Sequence, residues 1–458
     1  MGEWNDAEHH VERAHAFFEA GHWDEAESEL RYALSIDPHQ PEWHFNLGLT
    51  LDAAGRHADA RRAFIRSHEL SPDHSAAPLM VGMMHTREGN DAASISWFEK
   101  AASIVPDDPT PLVQHIAALT RLGEHDKAEV VYYLAQQTCD DSADLHAAIA
   151  ESLIARGLPE RAIWCLREAG KIDPRLPGVW SRLAEVFAST GRLERARQLF
   201  LKEVRTHPGK IEAMIGLGKV LRELGRVTEA DEKFRQVLEL VPDHLEAHDL
   251  LASLALHVGN NERAIEFFDV LVKLDPEVFG VRRRLGEILL KRNAQGDLQR
   301  ARELLLAEHT LMRNQPQLFS DEAVEHLSGL LMDAGLAAEA VRAAKVNLER
   351  RPGAAQAMHL LSAACFQAGD DERASDAARR ALRLAPTMVG PMYNLALSSI
   401  RQKQWNRARY WVRQARQVDP DDATVRRLRL MLIMHTGLEV MTGIGHVCRR
   451  LVTRTRVS

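Results

Sequence analysis

PGVWSRLAEVFASTGRLERARQLFLKEVRTHPGK, residues 177–210, reads as two amphipathic helices joined by a chain reversal. Trp180, Leu183, Ala184 and Phe187 fall at i, i+3, i+4 and i+7, so a helix through them carries all four on one face. Gly191 ends that helix, because glycine takes up the left-handed backbone needed just past a helix C-terminus. A second face follows in Ala196, Leu199, Phe200 and Val204, and Pro208 closes the stretch. The small side chains of Ala184 and Ala196 let the two backbones approach to about 8–10 Å, the spacing of tight helix packing. A hairpin of this size cannot bury both of its faces, so it requires copies of itself on either side.

Those copies run along the chain. Gly21, Gly55, Gly89, Gly123, Gly157, Gly191, Gly225 and Gly259 succeed one another at one constant interval, and Gly335, Gly369 and Gly437 resume the series. Pro38, Pro72, Pro106, Pro174, Pro208, Pro242 and Pro276, then Pro352, Pro386 and Pro420, keep the same beat, half a period after each turn. Five residues past the turn stands a small residue, as in Ala26, Ala60, Ser94, Ala128, Ala162, Ala196, Ala230 and Ala264. Glycine supplies only 27 of 458 residues, so eight in phase is not a chance pattern.

This period resembles that of the tetratricopeptide repeat family, whose signature is a Trp–Leu–Gly–Tyr helix, a turn glycine, an Ala–Phe–Ala helix and a proline. Asn46-Leu47-Gly48 with Leu51, Gly55, Ala60, Phe64 and Pro72 is one copy, and Leu217-Gly218 with Leu221, Gly225, Ala230, Phe234 and Pro242 is another. The resemblance spans nearly everything from Ala7 onward. It implies an all-α, right-handed superhelical solenoid of antiparallel helix pairs, with about twelve full repeats and a C-terminal capping unit. Fold does not fix function, and the family serves as a binding scaffold in many settings.

The phase divides the chain into residues 1–278, eight regular repeats; 279–320, one irregular and extended repeat; 321–422, three repeats; and 423–458, a degenerate capping repeat with a basic tail. In the irregular repeat the turn glycine is expected at Gly296, three residues late, with Pro316 later still; the added residues make it a candidate hinge. Lys403 stands where the last repeat should have its glycine. Val440, Ile444, Val447, Cys448 and Leu451 form the stripe of a closing helix.

Composition narrows the function classes. Cys139, Cys165, Cys365 and Cys448 are widely separated with no CxxC pair, which disfavours zinc or redox chemistry and suits a reducing compartment. The N-terminus, Met1 to Asp6, lacks the basic and apolar regions of a signal peptide, and the most apolar stretch, Leu430 to Val447, is interrupted by His435, Glu439 and His446. A cytoplasmic protein is expected. Charge is uneven: residues 1–150 hold 10 Lys and Arg against 26 Asp and Glu, a net of −16, whereas the rest holds 48 against 39. Such polarity attracts a basic partner to the N-terminal third.

No HExxH, GxxxxGK[ST] or GxSxG motif occurs, and Asp107-Asp108, Asp140-Asp141, Asp370-Asp371 and Asp421-Asp422 read as helix caps rather than acid/base pairs. An enzyme is not expected, nor any cofactor or resident metal. His9, His10, His15 and His44 are the nearest approach to a metal or pH-sensing cluster, but the regular i, i+4 pair is missing.

In the family, the first helix of each repeat lines the concave groove. By phase, that wall in repeats two to four contains Phe45, Asn46, Leu49, Leu79, Met80, Met83, Val113 and Gln114. It is apolar and rich in adaptable methionine, which suits an extended or helical peptide or protein ligand. The carboxylate clamp of chaperone-binding relatives is not expected: Asn46 and Asn394 hold the middle-Asn phase, but Val11, His15, Ala76 and Met80 stand where basic and Asn partners belong around Asn46. A basic surface of Arg282, Arg283 and Arg284, with Arg426, Arg427, Arg449 and Arg450, offers an alternative, a polyanion-binding adaptor on nucleic acid or a membrane surface. No aromatic residues are interleaved with these arginines, so nucleic acid is the less favoured ligand.

Overall fold

The computed structural model describes residues 2–434, with side chains from residue 6 onward. Among these residues every regular element is a helix. The chain divides into two compact units, Met1–Pro242 and Asp243–Ser458.

The first unit contains seven helix pairs: α1 (Gly2–Glu19) with α2 (Trp23–Ile36), α3 (Pro41–Ala53) with α4 (His57–Leu70), α5 (Ala76–Arg87) with α6 (Asp91–Ile104), and α7 (Pro109–Arg121) with α8 (His125–Thr138). It continues with α9 (Ala143–Ala155) and α10 (Pro159–Ile172), α11 (Val179–Ser189) and α12 (Leu193–Thr206), α13 (Ile211–Glu223) and α14 (Val227–Leu240). The second unit pairs α15 (Leu245–His257) with α16 (Asn261–Leu274), α17 (Val281–Arg292) with α18 (Asp297–Asn314), and α19 (Asp321–Asp333) with α20 (Ala337–Arg350). After these come α21 (Ala355–Gln367) with α22 (Asp371–Leu384), α23 (Val389–Arg401) with α24 (Trp405–Val418), and a helix over 423–434. Within each unit a helix packs on its own partner and on the next pair, the all-α repeat array that the period implies. The stripe from Val440 to Leu451 lies outside the described residues, as do Arg449 and Arg450.

The turns follow from backbone chemistry. The periodic turn glycines from Gly21 to Gly369 have φ between 69° and 83°, the left-handed region closed to most side chains; Gly437 lies outside the described residues. At Gly191 the turn is held by its own N–H, donated to the Ala188 carbonyl at 2.9 Å, and by the Arg192 N–H, donated to the Phe187 carbonyl at 2.8 Å. The core between paired helices is built on phenylalanine: Phe64, Phe98, Phe200, Phe234 and Phe268 are fully buried. Each such ring removes enough apolar surface from water to contribute about 1.5–3 kcal/mol. Gly48 and Gly218 make room for two of them, since a Cβ there would stand 2.5 Å from the Phe64 ring and 2.3 Å from the Phe234 ring.

The ninth repeat departs from the sequence expectation. Its left-handed residue is Asn293, φ 51°, one full period after Gly259 and therefore on the beat. Asparagine tolerates this conformation better than other residues with a Cβ. Gly296, φ 88°, is a second left-handed residue, opening α18 rather than closing α17. The turn is thus lengthened between the two. Asp297 holds it together: its carboxylate accepts from Arg292 Nε at 2.8 Å and Nη2 at 2.6 Å and from the Ala294 N–H at 2.9 Å. The remaining extra residues lengthen α18 to 18 residues, against 14 in α16, and form the short 3-10 turn Pro316–Leu318.

A buried pair of glutamates shows that register survives. Glu203 accepts the N–H of Gly178 at 2.8 Å, and Glu308 accepts that of Gly280 at 2.6 Å, each glycine being the left-handed residue that opens the next helix. The two glycines are three repeats apart. The glutamate lies 25 residues further on in the first case and 28 in the second, so the long turn is absorbed before the contact reforms.

Asp108, Asp370 and Asp422 cap helices as expected, accepting from the N–H groups of Thr110, Arg373 and Val425. Asp141 does not: its carboxylate meets Nε2 of the buried His146 at 2.8 Å, and the other ring nitrogen of His146 meets the Tyr132 hydroxyl, also at 2.8 Å. Arginines near the first-helix ends pair with acids that open the second helix one repeat back, as Arg121 does with Asp91, Arg156 with Asp126 and Arg401 with Asp371. These pairs are exposed and contribute about 0–1 kcal/mol each.

Candidate functional site

The first-helix wall of repeats two to four is built by register. Phe45, Leu79 and Val113 are equivalent positions on α3, α5 and α7, as are Asn46, Met80 and Gln114, while Leu49 and Met83 lie one turn further along. All eight residues are half-buried, none fully enclosed and none fully exposed. Four of them pack on the core. Phe45 meets Phe64 edge-on with ring centroids 5.3 Å apart, and Leu49, Met80 and Met83 lie against the cluster of Leu47, Leu51, Phe64 and Val81. Between repeats one and two a cleft of about 170 Å³ opens over Val11, Phe18, Leu30, Asn46 and Leu49.

The histidines of the first repeats do not converge on one another. His10 and Arg13 both meet Glu29, His9 lies 3.7 Å from Glu12, His15 lies 3.6 Å from Glu19, and the His44 ring meets the Pro38 carbonyl at 3.0 Å. Among the described residues, no group of three or more His, Cys, Asp or Glu side chains is placed to share a metal ion.

The basic residues are dispersed and largely engaged. Arg282 is buried, donating to the carbonyls of Pro276 and Val278. Arg284 pairs with Asp249 at 2.5 Å, donates to Ser253 and lies 4.6 Å above the centre of the Phe268 ring. Arg283 is half-buried, and burial holds its guanidinium below the usual arginine range despite the nearby Glu308 carboxylate. Arg426 pairs with Asp421 at 2.6 Å and Arg427 is exposed.

Three further clefts escaped the phase argument. One of about 630 Å³ lies between α17 and α19, over Glu287, His326, Gly329 and Asp333. Another, of about 280 Å³, is walled by Tyr132, Tyr133, Arg161 and Trp164, with Cys165 beneath; burial pushes that thiol up to about 11. A third, of about 220 Å³, gathers Arg409, Arg413, Arg416 and Arg429 over Val412 and Leu432. The last was visible in principle, since Arg409, Val412, Arg413 and Arg416 share one helix face at i, i+3, i+4 and i+7.

An array of two-helix repeats, displaying side chains along its first helices, defines a helical-repeat scaffold of the kind typically used for protein–protein interaction. Residues 67–318 match the family described as "Cilia and flagella-associated protein 70 C-terminal domain", and residues 11–74 match the one described as "Tetratricopeptide repeat". The chain belongs to this tetratricopeptide-repeat family. No curated protein matches it. Among solved structures it is similar to a human IFIT1 dimer with m7Gppp-AAAA, at 17% identity and TM-score 0.44, covering 82% of this chain and 89% of that one. It is also similar to yeast Tom70, at 15% identity and TM-score 0.36, over 95% and 96% of the two chains. Pseudomonas aeruginosa pilF matches 44% of this chain and 92% of its own, at 18% identity and TM-score 0.39. Among the described residues, no helix is long and apolar enough to cross a membrane.

Proposed function

We propose that the chain is a non-enzymatic scaffold that binds a peptide segment of a partner protein along Phe45, Asn46, Leu49, Leu79, Met80, Met83, Val113 and Gln114. The observation that carries this reading is the half-burial of all eight on the first helices of three successive repeats. Phe45, Leu49, Met80 and Met83 are fixed from below by the core while their outer surfaces stay open, so binding orders little there that is not already ordered. Methionine at the centre lets the surface adapt to its ligand. The net charge of −16 on residues 1–150 favours a segment that carries basic residues beside its apolar anchors.

Affinity capture from a lysate of the native organism, at low and high salt with nuclease-treated controls, tests the reading. A protein retained at high salt, and lost by at least about tenfold in the Met80→Glu, Met83→Glu double variant, is the expected result, since two buried carboxylates would face an apolar ligand. A double variant that keeps the fold and every partner places binding elsewhere. Capture that disappears with salt or nuclease moves the function to the arginines of the C-terminal end.

A further inference from the structure

The cleft between α17 and α19 exists because of two local departures from the repeat. The first is the lengthened turn between Asn293 and Gly296, which places Asn293 and Leu298 on its wall. The second is Gly329. Glycines inside the other helices are forced by a neighbour: a Cβ at Gly48, Gly82, Gly170, Gly216 or Gly218 would stand 2.3–2.5 Å from an aromatic ring. Gly329 has no such neighbour, with nothing within 4 Å of where its Cβ would be. It lies six residues before its turn, the register at which other first helices carry Leu49, Met83, Glu185, Lys219 and Glu287, or the small Ala117, Ser253 and Ala363, each with at least a Cβ. A mid-helix glycine costs about 1 kcal/mol relative to alanine, and here no packing constraint demands it. What it leaves is an open floor.

The walls of this space are mixed. Leu290, Leu298 and Leu330 are apolar; Glu287, Asp333, Lys291 and His326 are polar. The single ammonium is already committed, with Lys291 Nζ 2.6 Å from Glu287, and His326 Nε2 lies 3.3 Å from the same carboxylate. Asp333 is exposed and makes no ion pair among the described residues. An anion entering here would meet two carboxylates and one ammonium that is already paired. An aliphatic side chain would satisfy the leucines but leave Asp333 unmatched. A long basic side chain satisfies both, laying its methylenes on the leucines and its charged head against the carboxylates.

We infer that the cleft between α17 and α19 is a subsite for a lysine or arginine side chain of a bound partner segment. The inference rests on the reading of the chain as a peptide-binding scaffold, but uses a site separate from Met80 and Met83. It gives the irregular ninth repeat a specificity role, because the lengthened turn supplies part of the wall and a long side chain at the Gly329 register, such as Lys219 or Glu185, would narrow the space.

The test uses the full chain, immobilised, and four pools of synthetic peptides with randomised flanks and a central residue fixed as Arg, Lys, Leu or Glu. Retention of the Arg and Lys pools about tenfold above the Leu and Glu pools is expected, a difference of one decade in affinity. Gly329→Leu places a branched side chain and a better helix former on the cleft floor, and should abolish the preference while circular dichroism stays unchanged. Asp333→Asn, an exposed substitution, should reduce it severalfold and guards against any misfolding of the first variant. Equal retention of the four pools, no retention of any pool, or a basic preference that survives both substitutions overturns the assignment. Run beside these, the Met80→Glu, Met83→Glu variant separates the two sites: if it loses its lysate partner but keeps the basic preference, the subsite acts on its own. If it keeps every partner while Gly329→Leu loses the preference, the N-terminal reading fails and the cleft stands.

Discussion

Lys403 adopts φ 56°, the position that glycine holds at most other turns of the array. A residue with a Cβ incurs roughly 1–2 kcal/mol of steric cost in that region, and glycine there would lose about 0.5–1 kcal/mol of extra unfolded-chain entropy on folding. The first effect is the larger. Lys403→Gly should therefore stabilise the last helix pair by about 0.5–1 kcal/mol. Hydrogen exchange of α23 and α24 in increasing urea is the readout; a midpoint that falls on substitution would mean that the lysine makes a compensating contact. Asn293 differs in degree, because its side chain suits the left-handed region and it begins a turn braced by Asp297.

At the scale of elements, that brace is the feature of the ninth repeat with the clearest pH signature. The Arg292 fork, then the Ala294 N–H, holds the Asp297 carboxyl down to about 2. A carboxyl depressed in the folded state contributes stability above its ordinary value of 3.8 and loses it as pH falls through about 2. Asp297→Asn should therefore melt below the parent protein at neutral pH, and the gap should narrow from pH 4 downward and close near 2. A gap independent of pH would show that shape rather than charge holds the turn. We propose that residues 279–320 are a point of flexure, and faster hydrogen exchange there than in α15 and α21, increased further by the substitution, is the accompanying expectation.

The same repeat marks how far the sequence could be read. Turn glycines, closing prolines and the Phe64-type core recur with the period, so the helix pairs, and the register that makes Phe45, Leu79 and Val113 equivalent, followed from phase. Counting glycines placed the ninth turn at Gly296 because the criterion was residue type, whereas the backbone responds to tolerance of positive φ, which Asn293 also has. The cleft at Gly329 was out of reach for a different reason. That glycine's register, one residue past that of Gly48, Gly82 and Gly218, separates it from the glycines pressed on a Phe ring, but the open space depends on the absence of a neighbour across two helices, which register does not report.

Over the whole molecule, stability should be local, because a repeat contacts its sequence neighbours and little else. Phe64 is fully buried between α3 and α4 and belongs to a cluster reaching Leu30 on one side and Val81 and Met84 on the other. Its truncation in Phe64→Ala leaves a cavity costing about 3–5 kcal/mol, enough to open a repeat whose share of the total is smaller than that. A globular core would share the loss across all its elements. A stacked array instead passes it to the adjacent pairs, where it fades. Hydrogen exchange resolved by peptide should accordingly rise sharply in α3 and α4, less in α1, α2, α5 and α6, and remain at parental values in the distant helices α21 to α24. Uniform acceleration along the chain would mean that the repeats unfold as one cooperative body, and the nearest-neighbour account would fail. The locality matters for function as well. It lets the methionine wall of repeats two to four and the cleft of repeats nine and ten be altered one at a time, which is the condition under which the paired variants can assign each site its own ligand.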